Sequence, residues 1–165
     1  MSTLLKSAVL CSVLASSVAF AGTAATTFQV TATVLSSCNV TGTLLNFGSS
    51  IDPISASVPL DSSSSLTVQC TNTTPYTVAL NAGTNAGGAS AFGSRAIKNG
   101  SHTLGYQLYT DAARTTVWGD GTSSNTVGGT GSGGNQSLSI YGRLPSLAGA
   151  VPGSYTDTVT VTITY

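Results

Sequence analysis

The chain has 165 residues, of which 6% are charged, and its five Lys and Arg balance five Asp to a formal net charge of zero. So few basic residues exclude a nucleic-acid binder that neutralises phosphates and a polybasic membrane-surface protein. The 26 Thr, 25 Ser and 19 Gly residues favour β-strands over surface helices. A hydrophobic content of 41% argues against disorder. The length suits one domain.

The first 21 residues have the pattern of a signal peptide. Lys6 precedes an apolar run over residues 8–20, which ends in the small-x-small sequence Ala19-Phe20-Ala21. A run of about 13 residues is short of the roughly 20 that span a bilayer as a helix. A buried helix or a membrane anchor is the alternative. We predict cleavage after Ala21 and export of the mature chain, which meets the membrane only in transit.

Two cysteines, Cys38 and Cys70, remain after the predicted cleavage, because Cys11 lies within the signal peptide. In an exported chain two cysteines most simply form one disulfide, and a pair of free buried thiols is the alternative. A metal site is not expected, since His102 is the only histidine and no Cys-x-x-Cys spacing occurs.

The mature chain begins with a small-residue linker over residues 22–26 and an alternating segment. Its apolar residues are Phe28, Val30, Ala32 and Val34, and they are separated by Gln and Thr. Side chains of an extended segment alternate between two faces, so these four share one face. Periodicity alone leaves two alternatives: the segment pairs within its own sheet, or it is exchanged between protomers.

The remaining elements also show period two. We predict strands over 43–47, 65–70, 76–80, 104–109, 116–118 and 136–144, with a connection at 52–59 and loops at 81–90 and 121–134. The last alternation, over 155–165, puts Val159, Val161 and Ile163 on one face and Thr residues on the other. Short strands at this spacing predict an all-β sandwich or barrel.

Residues capable of catalysis are sparse and lie in turn-like sequences. His102 follows an Asn-Gly turn, and no Gly-x-Ser-x-Gly motif accompanies it. Asp111 and Asp120 bracket Trp118, as in a sugar site, yet each begins or interrupts a turn sequence. We therefore predict no enzyme and no cofactor. Trp118 and the Tyr residues either line a carbohydrate site or, as we favour for most of them, belong to the core and sheet edges.

Several segments in a fixed order are more specific than any one motif. They are Leu-Asn-Phe-Gly at 45–48, Leu-Thr-Val-Gln-Cys at 66–70, Pro-Tyr-Thr-Val-Ala-Leu at 75–80, Leu-Gly-Tyr-Gln-Leu-Tyr at 104–109, Val-Trp-Gly-Asp-Gly at 117–121, Ile-Tyr-Gly-Arg-Leu-Pro at 140–145 and Gly-Ser-Tyr-Thr-Asp-Thr-Val-Thr-Val at 153–161. Together they resemble the spore coat protein U domain family, which includes the major subunits of archaic chaperone–usher pili.

The resemblance implies an immunoglobulin-like sandwich that lacks its final strand. In such pili a periplasmic chaperone lends a strand, and an outer-membrane usher exchanges it for the N-terminal segment of the next subunit. Residues 22–37 would then be linker and donor strand, and residues 38–165 the sandwich domain. The donor residues would be Phe28, Val30, Ala32 and Val34. The edge that pairs with the chaperone would carry Val159, Val161, Ile163 and Tyr165.

The function that follows is a structural subunit of a secreted surface fibre that serves adhesion and biofilm formation. Its partners would be identical subunits, the chaperone, the usher and a tip adhesin, and it would pass through the periplasm to the cell surface. Two alternatives remain open. One is a secreted monomeric carbohydrate-binding adhesin that uses Trp118 and the Gly-rich loops, and the other is a spore or cell coat protein.

Overall fold

A computed structural model describes residues 21–122 and 124–165. It divides into two units, one up to Thr33 and one over Val34–Tyr165. All of the predicted signal peptide except Ala21 lies outside the described residues. The only helix in the described part of the chain is a single 3-10 turn over Phe92–Ser94, and none there is long and apolar enough to cross a membrane.

The second unit is an immunoglobulin-like β-sandwich, which confirms the predicted all-β class. Its strands are β1 Cys38–Gly42, β2 Leu60–Cys70, β3 Pro75–Leu80, β4 Ala96–Asn99, β5 His102–Gly105, β6 Gln107–Tyr109, β7 Val127–Thr130, β8 Asn135–Leu144 and β9 Val161–Thr164. One sheet has the order β1-β2-β8-β6, the other β7-β3-β9, and β4 and β5 form a hairpin. All these pairings are antiparallel.

The core lies where the apolar faces of the two sheets meet. In β2, Leu66 and Val68 are buried and in β3 Val78 and Leu80 are, each separated by more exposed residues, because side chains along a strand point alternately to the two faces. Trp118 lies within this core with no exposed surface, and its indole Nε1 donates a hydrogen bond to the Val78 carbonyl at 3.1 Å. The alternative in which Trp118 stacks on a sugar is therefore wrong.

The strand predicted over residues 43–47 is displaced toward the N-terminus. Residues 38–42 form β1, and the ladder with β2 ends at the pair Gly42 and Leu66. One more backbone bond follows, from the Thr43 amide to the Ser65 carbonyl at 3.1 Å. Beyond it the chain is held by side-chain hydroxyls: Ser64 Oγ donates to the Thr43 carbonyl at 2.8 Å, and Ser62 Oγ donates to the Asn46 carbonyl at 2.6 Å. These hydroxyl contacts replace the regular backbone ladder that the alternation predicted.

Several other sequence-based expectations differ from the structure for tertiary reasons. The predicted 65–70 strand begins earlier, at Leu60, and the predicted 116–118 strand is reduced to isolated bridges at Val117 and Trp118. The predicted 121–134 loop contains strand β7. Gly129 of β7 lies opposite Tyr76 of β3, and because it has no side chain, the Tyr76 ring can pack over its backbone. The predicted 104–109 strand is interrupted at Tyr106, whose amide donates to the Arg95 carbonyl at 3.0 Å. Regular pairing in the last alternation is confined to β9, since Thr156 makes only an isolated bridge with Lys98 of β4, and the carbonyls of Thr158 and Thr160 accept from the loop after β3.

Candidate functional site

A long apolar groove with a volume of about 1310 Å³ opens along one side of the sandwich. Residues 42–51, which continue from β1, form one wall, and residues 150–161, which lead into β9, form the other. The floor is made of buried core side chains, namely Leu66, Leu80, Leu104, Tyr106, Leu108, Ile140 and Leu144. The groove therefore reaches down to the core of the sandwich, and its walls carry half-buried apolar side chains such as Leu45, Phe47 and Val159.

The second wall directs alternate backbone groups into the body of the domain. The carbonyls of Thr156, Thr158 and Thr160 accept hydrogen bonds from the amides of Lys98, Thr84 and Asn81 at 2.9, 3.0 and 3.0 Å. Backbone groups of successive residues in an extended chain point to opposite sides. The amides and carbonyls of the odd-numbered residues therefore point to the side opposite these partners, which is the side of the groove.

The predicted chaperone-pairing residues all lie on or next to this wall. Val159, Val161 and Ile163 are half-buried against the core, while the intervening Thr residues are exposed. Of the strands that the structure describes, only β3 pairs with β9, so β9 is an edge strand. Tyr165 is 56% exposed beyond it. The structure thus provides an edge with an apolar inner face at the position where the resemblance implied one.

The first wall packs closely against Gly142 of β8. A Cβ at Gly142 would come within 2.9 Å of both Leu45 methyl carbons and within 3.1 Å of the Phe47 ring. The Phe47 ring also lies 6.2 Å from the Tyr106 ring, centroid to centroid, at a tilt of 60°. Sequence reasoning missed this close packing, although a glycine such as Gly142 in the middle of an apolar alternation is a signal that another part of the chain approaches the strand closely.

A polar network supports the floor of the groove. The Tyr106 hydroxyl donates to Asp157 Oδ2 at 2.7 Å, while Asp157 Oδ1 accepts from the Thr84 hydroxyl at 2.9 Å and the Asn85 amide at 3.1 Å. Burial, together with the hydrogen bond to Asp157, raises the pKa of Tyr106 above its usual value. Tyr106 therefore stays neutral and keeps donating this bond across the physiological pH range.

Arg95 is a buried cation that sequence reasoning did not single out. It is 2% exposed, and its guanidinium donates to the carbonyls of Asn81 and Trp118 at 2.8 and 2.9 Å and to Gln107 Oε1 at 2.7 Å. Burial lowers the pKa of Arg95 from its usual value. Its bonds fasten the loop after β3 to the segment that carries Trp118, so its role is to brace the sandwich.

The predicted donor segment is exposed and carries no regular secondary structure. Phe28 and Val30 are 85% and 82% exposed, and Ala32 is also exposed. In the second unit, Val34 is 86% exposed. Large apolar side chains at this exposure are unfavourable in water, so such a segment gains free energy from any apolar surface that covers it.

The two predicted cysteines form a disulfide, which confirms the prediction from their count. Cys38 and Cys70 are also register partners of β1 and β2, so the bridge joins an edge strand to the adjacent central strand. The bridge closes a loop with a sequence separation of 32 residues.

Replacing both cysteines by Ser is expected to lower the free energy of unfolding of the mature protein by about 3–4 kcal/mol, the chain-entropy value for such a loop. Denaturant titration of the two proteins measures this difference. Thiol labelling of the denatured, unreduced parent protein serves as the control and should leave Cys38 and Cys70 unlabelled. Two labelled thiols would contradict the prediction.

The residues considered for catalysis do not line the groove, and they lie in or next to turns of the chain. His102 is exposed at the start of β5, after the turn at Gly100. Asp111 accepts hydrogen bonds from the amides of Thr115 and Thr116. Hydrogen bonds from Ser90 and Thr122 lower the pKa of Asp120 to about 2. Over residues 21–122 and 124–165, no three His, Cys, Asp or Glu side chains converge as metal ligands.

Comparison with known proteins identifies the family of the chain. The chain matches the Spore Coat Protein U domain over residues 24–162. The chain belongs to the spore coat protein U domain family. A curated member, Protein U of Myxococcus xanthus, is 35% identical over 93% of this chain and 92% of its own length.

A structural relative of this spore coat protein U domain comes from the CsuC–CsuE complex of a chaperone and a tip adhesion subunit. That pre-assembly complex belongs to the archaic chaperone–usher Csu pili of Acinetobacter baumannii. The similarity has a TM-score of 0.57 at 26% identity and covers 81% of this chain. The chain spans 40% of the length of that relative.

Proposed function

We propose that the chain is a structural subunit of a secreted surface fibre of the chaperone–usher type. The observation that carries this proposal is the open groove. Its apolar floor belongs to the core, and one side of β9 pairs with no other strand that the structure describes. A sandwich with such a groove lacks one strand. An extended segment with alternating apolar residues supplies both the side chains and the backbone pairing that the groove requires.

The N-terminal segment of another subunit is the occupant that we propose. Phe28, Val30, Ala32 and Val34 share one face when extended, and the burial of the three larger side chains contributes about 1.5–3 kcal/mol each before ordering costs. Donor-strand exchange of this kind links each subunit to the next. The fibre would serve adhesion and biofilm formation at the cell surface, after export by the signal peptide over residues 1–21.

Before assembly, the groove needs a temporary occupant, because an open apolar groove and an open strand edge promote aggregation. We propose a periplasmic chaperone for this role, paired along β9 at Val159, Val161 and Ile163, with Tyr165 beyond. An outer-membrane usher would exchange the chaperone for the next subunit, and a tip adhesin would occupy the end of the fibre. The relationship to the CsuC–CsuE chaperone complex supports these partners.

A gel of unboiled cell-surface extract tests the proposal against its alternatives. We expect a ladder of SDS-resistant multimers that collapses to one band on boiling, since each link buries a whole strand. A single band without boiling would indicate a monomeric protein instead. The monomeric carbohydrate-binding alternative has lost its main candidate residue, because Trp118 is fully buried. A coat protein remains an alternative because the matching family is named for a spore coat protein, and localisation of the multimers distinguishes coat from fibre.

A further inference from the structure

The chain leaves β1 in the direction opposite to its own groove. Ser37 extends the β1 register by one position: its carbonyl accepts from the Thr71 amide at 2.9 Å, and its amide donates to the Thr71 hydroxyl at 3.2 Å. At the next position, Cys38 is covalently bonded to Cys70. Two successive residues thus anchor this end of β1, and residues 34–36 continue past the turn at 71–75.

The groove begins at the other end of β1. Its first lining residue on this wall is Gly42, and the wall continues to Ile51. At about 3.4 Å per residue, Gly42 lies roughly 14 Å from Cys38. A segment that enters the groove of its own subunit must therefore reverse direction and pass along all of β1 first.

The length between the anchor and the apolar segment does not allow this. The shortest common reversal is a two-residue hairpin turn, which would use residues 35 and 36. Val34 would then stand opposite Ser37, and counting on residue by residue puts Phe28 opposite Thr43. Of the four apolar residues only Phe28 would reach the lining of the groove, while the others would lie beside β1.

We infer, on the basis of the proposed function, that the Ser37–Cys38 anchor prevents a subunit from completing its own groove. The occupant is then the N-terminal segment of a second copy of the chain. The anchor selects assembly over self-completion because it fixes both the starting point and the direction of the segment. Neither bonding partner of the anchor lines the groove, so this role is separate from that of the groove residues.

A longer tether tests the inference. Twelve Gly/Ser residues inserted between Leu35 and Ser36 have a root-mean-square span of roughly 20 Å, enough to pass along β1. The intramolecular concentration of the segment then reaches the mM range. The matched control carries the same insertion between Gly87 and Gly88, in an exposed loop where nothing lies within 4 Å of a Gly87 Cβ. Each mature protein is dissociated in guanidinium, refolded at about 10 μM and analysed by size exclusion and hydrogen exchange.

We expect at least tenfold fewer SDS-resistant multimers for the longer tether, and a monomer in which the amides of residues 28–34 are protected from exchange. The parent and the Gly87 insertion should form multimers. A parent protein that refolds to a monomer with protected residues 28–34 overturns the inference. Multimers undiminished by the longer tether also overturn it, and if Val30→Asp abolishes them in that protein the proposed function still stands. Multimers that survive Val30→Asp in both proteins overturn the proposed function itself.

Discussion

Val30→Asp is expected to remove SDS-resistant multimers from the cell surface while chaperone co-purification from the periplasm persists. The substitution forfeits about 1.5–3 kcal/mol of Val burial and adds the cost of an unpaired carboxylate in an apolar groove. A combined loss of about 4 kcal/mol corresponds to roughly a thousandfold weaker link. The chaperone complex persists because we propose that the chaperone occupies the groove and the β9 edge and does not engage residue 30.

Thr31→Asp is the matched control for this experiment. It introduces the same charge one residue along, on the opposite face of the extended segment, and multimers should persist. Normal fibres from Val30→Asp would show that the N-terminal segment is not the donor strand. Loss of both the fibre and the chaperone complex would place residue 30 in the core of its own subunit.

Val161→Asp is expected to abolish co-purification with the chaperone. Val161 is half-buried, lines the groove and lies opposite Leu80 in the β3–β9 register. A carboxylate there would face the apolar floor and the incoming strand without a partner, at a cost of several kcal/mol. Affinity purification of the chaperone from periplasmic extracts, with quantification of the bound subunit, measures the effect.

Thr162→Asp is the control on the same strand, since residue 162 is exposed on the outer face of the sheet. It should co-purify at the level of the parent protein. Full recovery of Val161→Asp with the chaperone would contradict the assignment of β9 as the chaperone-pairing edge. Equal loss for both variants would indicate that the strand tolerates no charge, whichever face carries it.

The sequence predicted the parts of strands in which one face is buried, and it missed residues 60–64 of β2, where no side chain is buried. In β2 and β8 the alternation of Leu66, Val68 and Ile140 with polar residues matches the structure, because period two and one-sided burial have the same cause. The disulfide followed from a count of two cysteines in a chain predicted to be exported. These predictions succeeded because each depends on neighbouring residues or on composition.

Other features depend on partners far away in sequence and were not predicted. Gly129 is part of a strand because it pairs with Tyr76. Tyr106 interrupts a strand because its amide donates a hydrogen bond to the Arg95 carbonyl. Arg95 itself has no local signal of burial, since its acceptors come from residues 81, 107 and 118. A pattern of neighbouring residues does not contain such contacts.

The same distinction applies to the groove. The amino-acid sequence by itself determined the all-β class, the disulfide, the family and the two alternating apolar faces, at residues 28–34 and 159–163. The resemblance implied an edge at the last strand, but only the tertiary structure decided which strand pairs with β9, that residues 42–51 and 150–161 form facing walls, and that Trp118 is core. Strand order and edge position result from long-range pairing, and two strands with the same alternation differ in exposure only through what lies beside them.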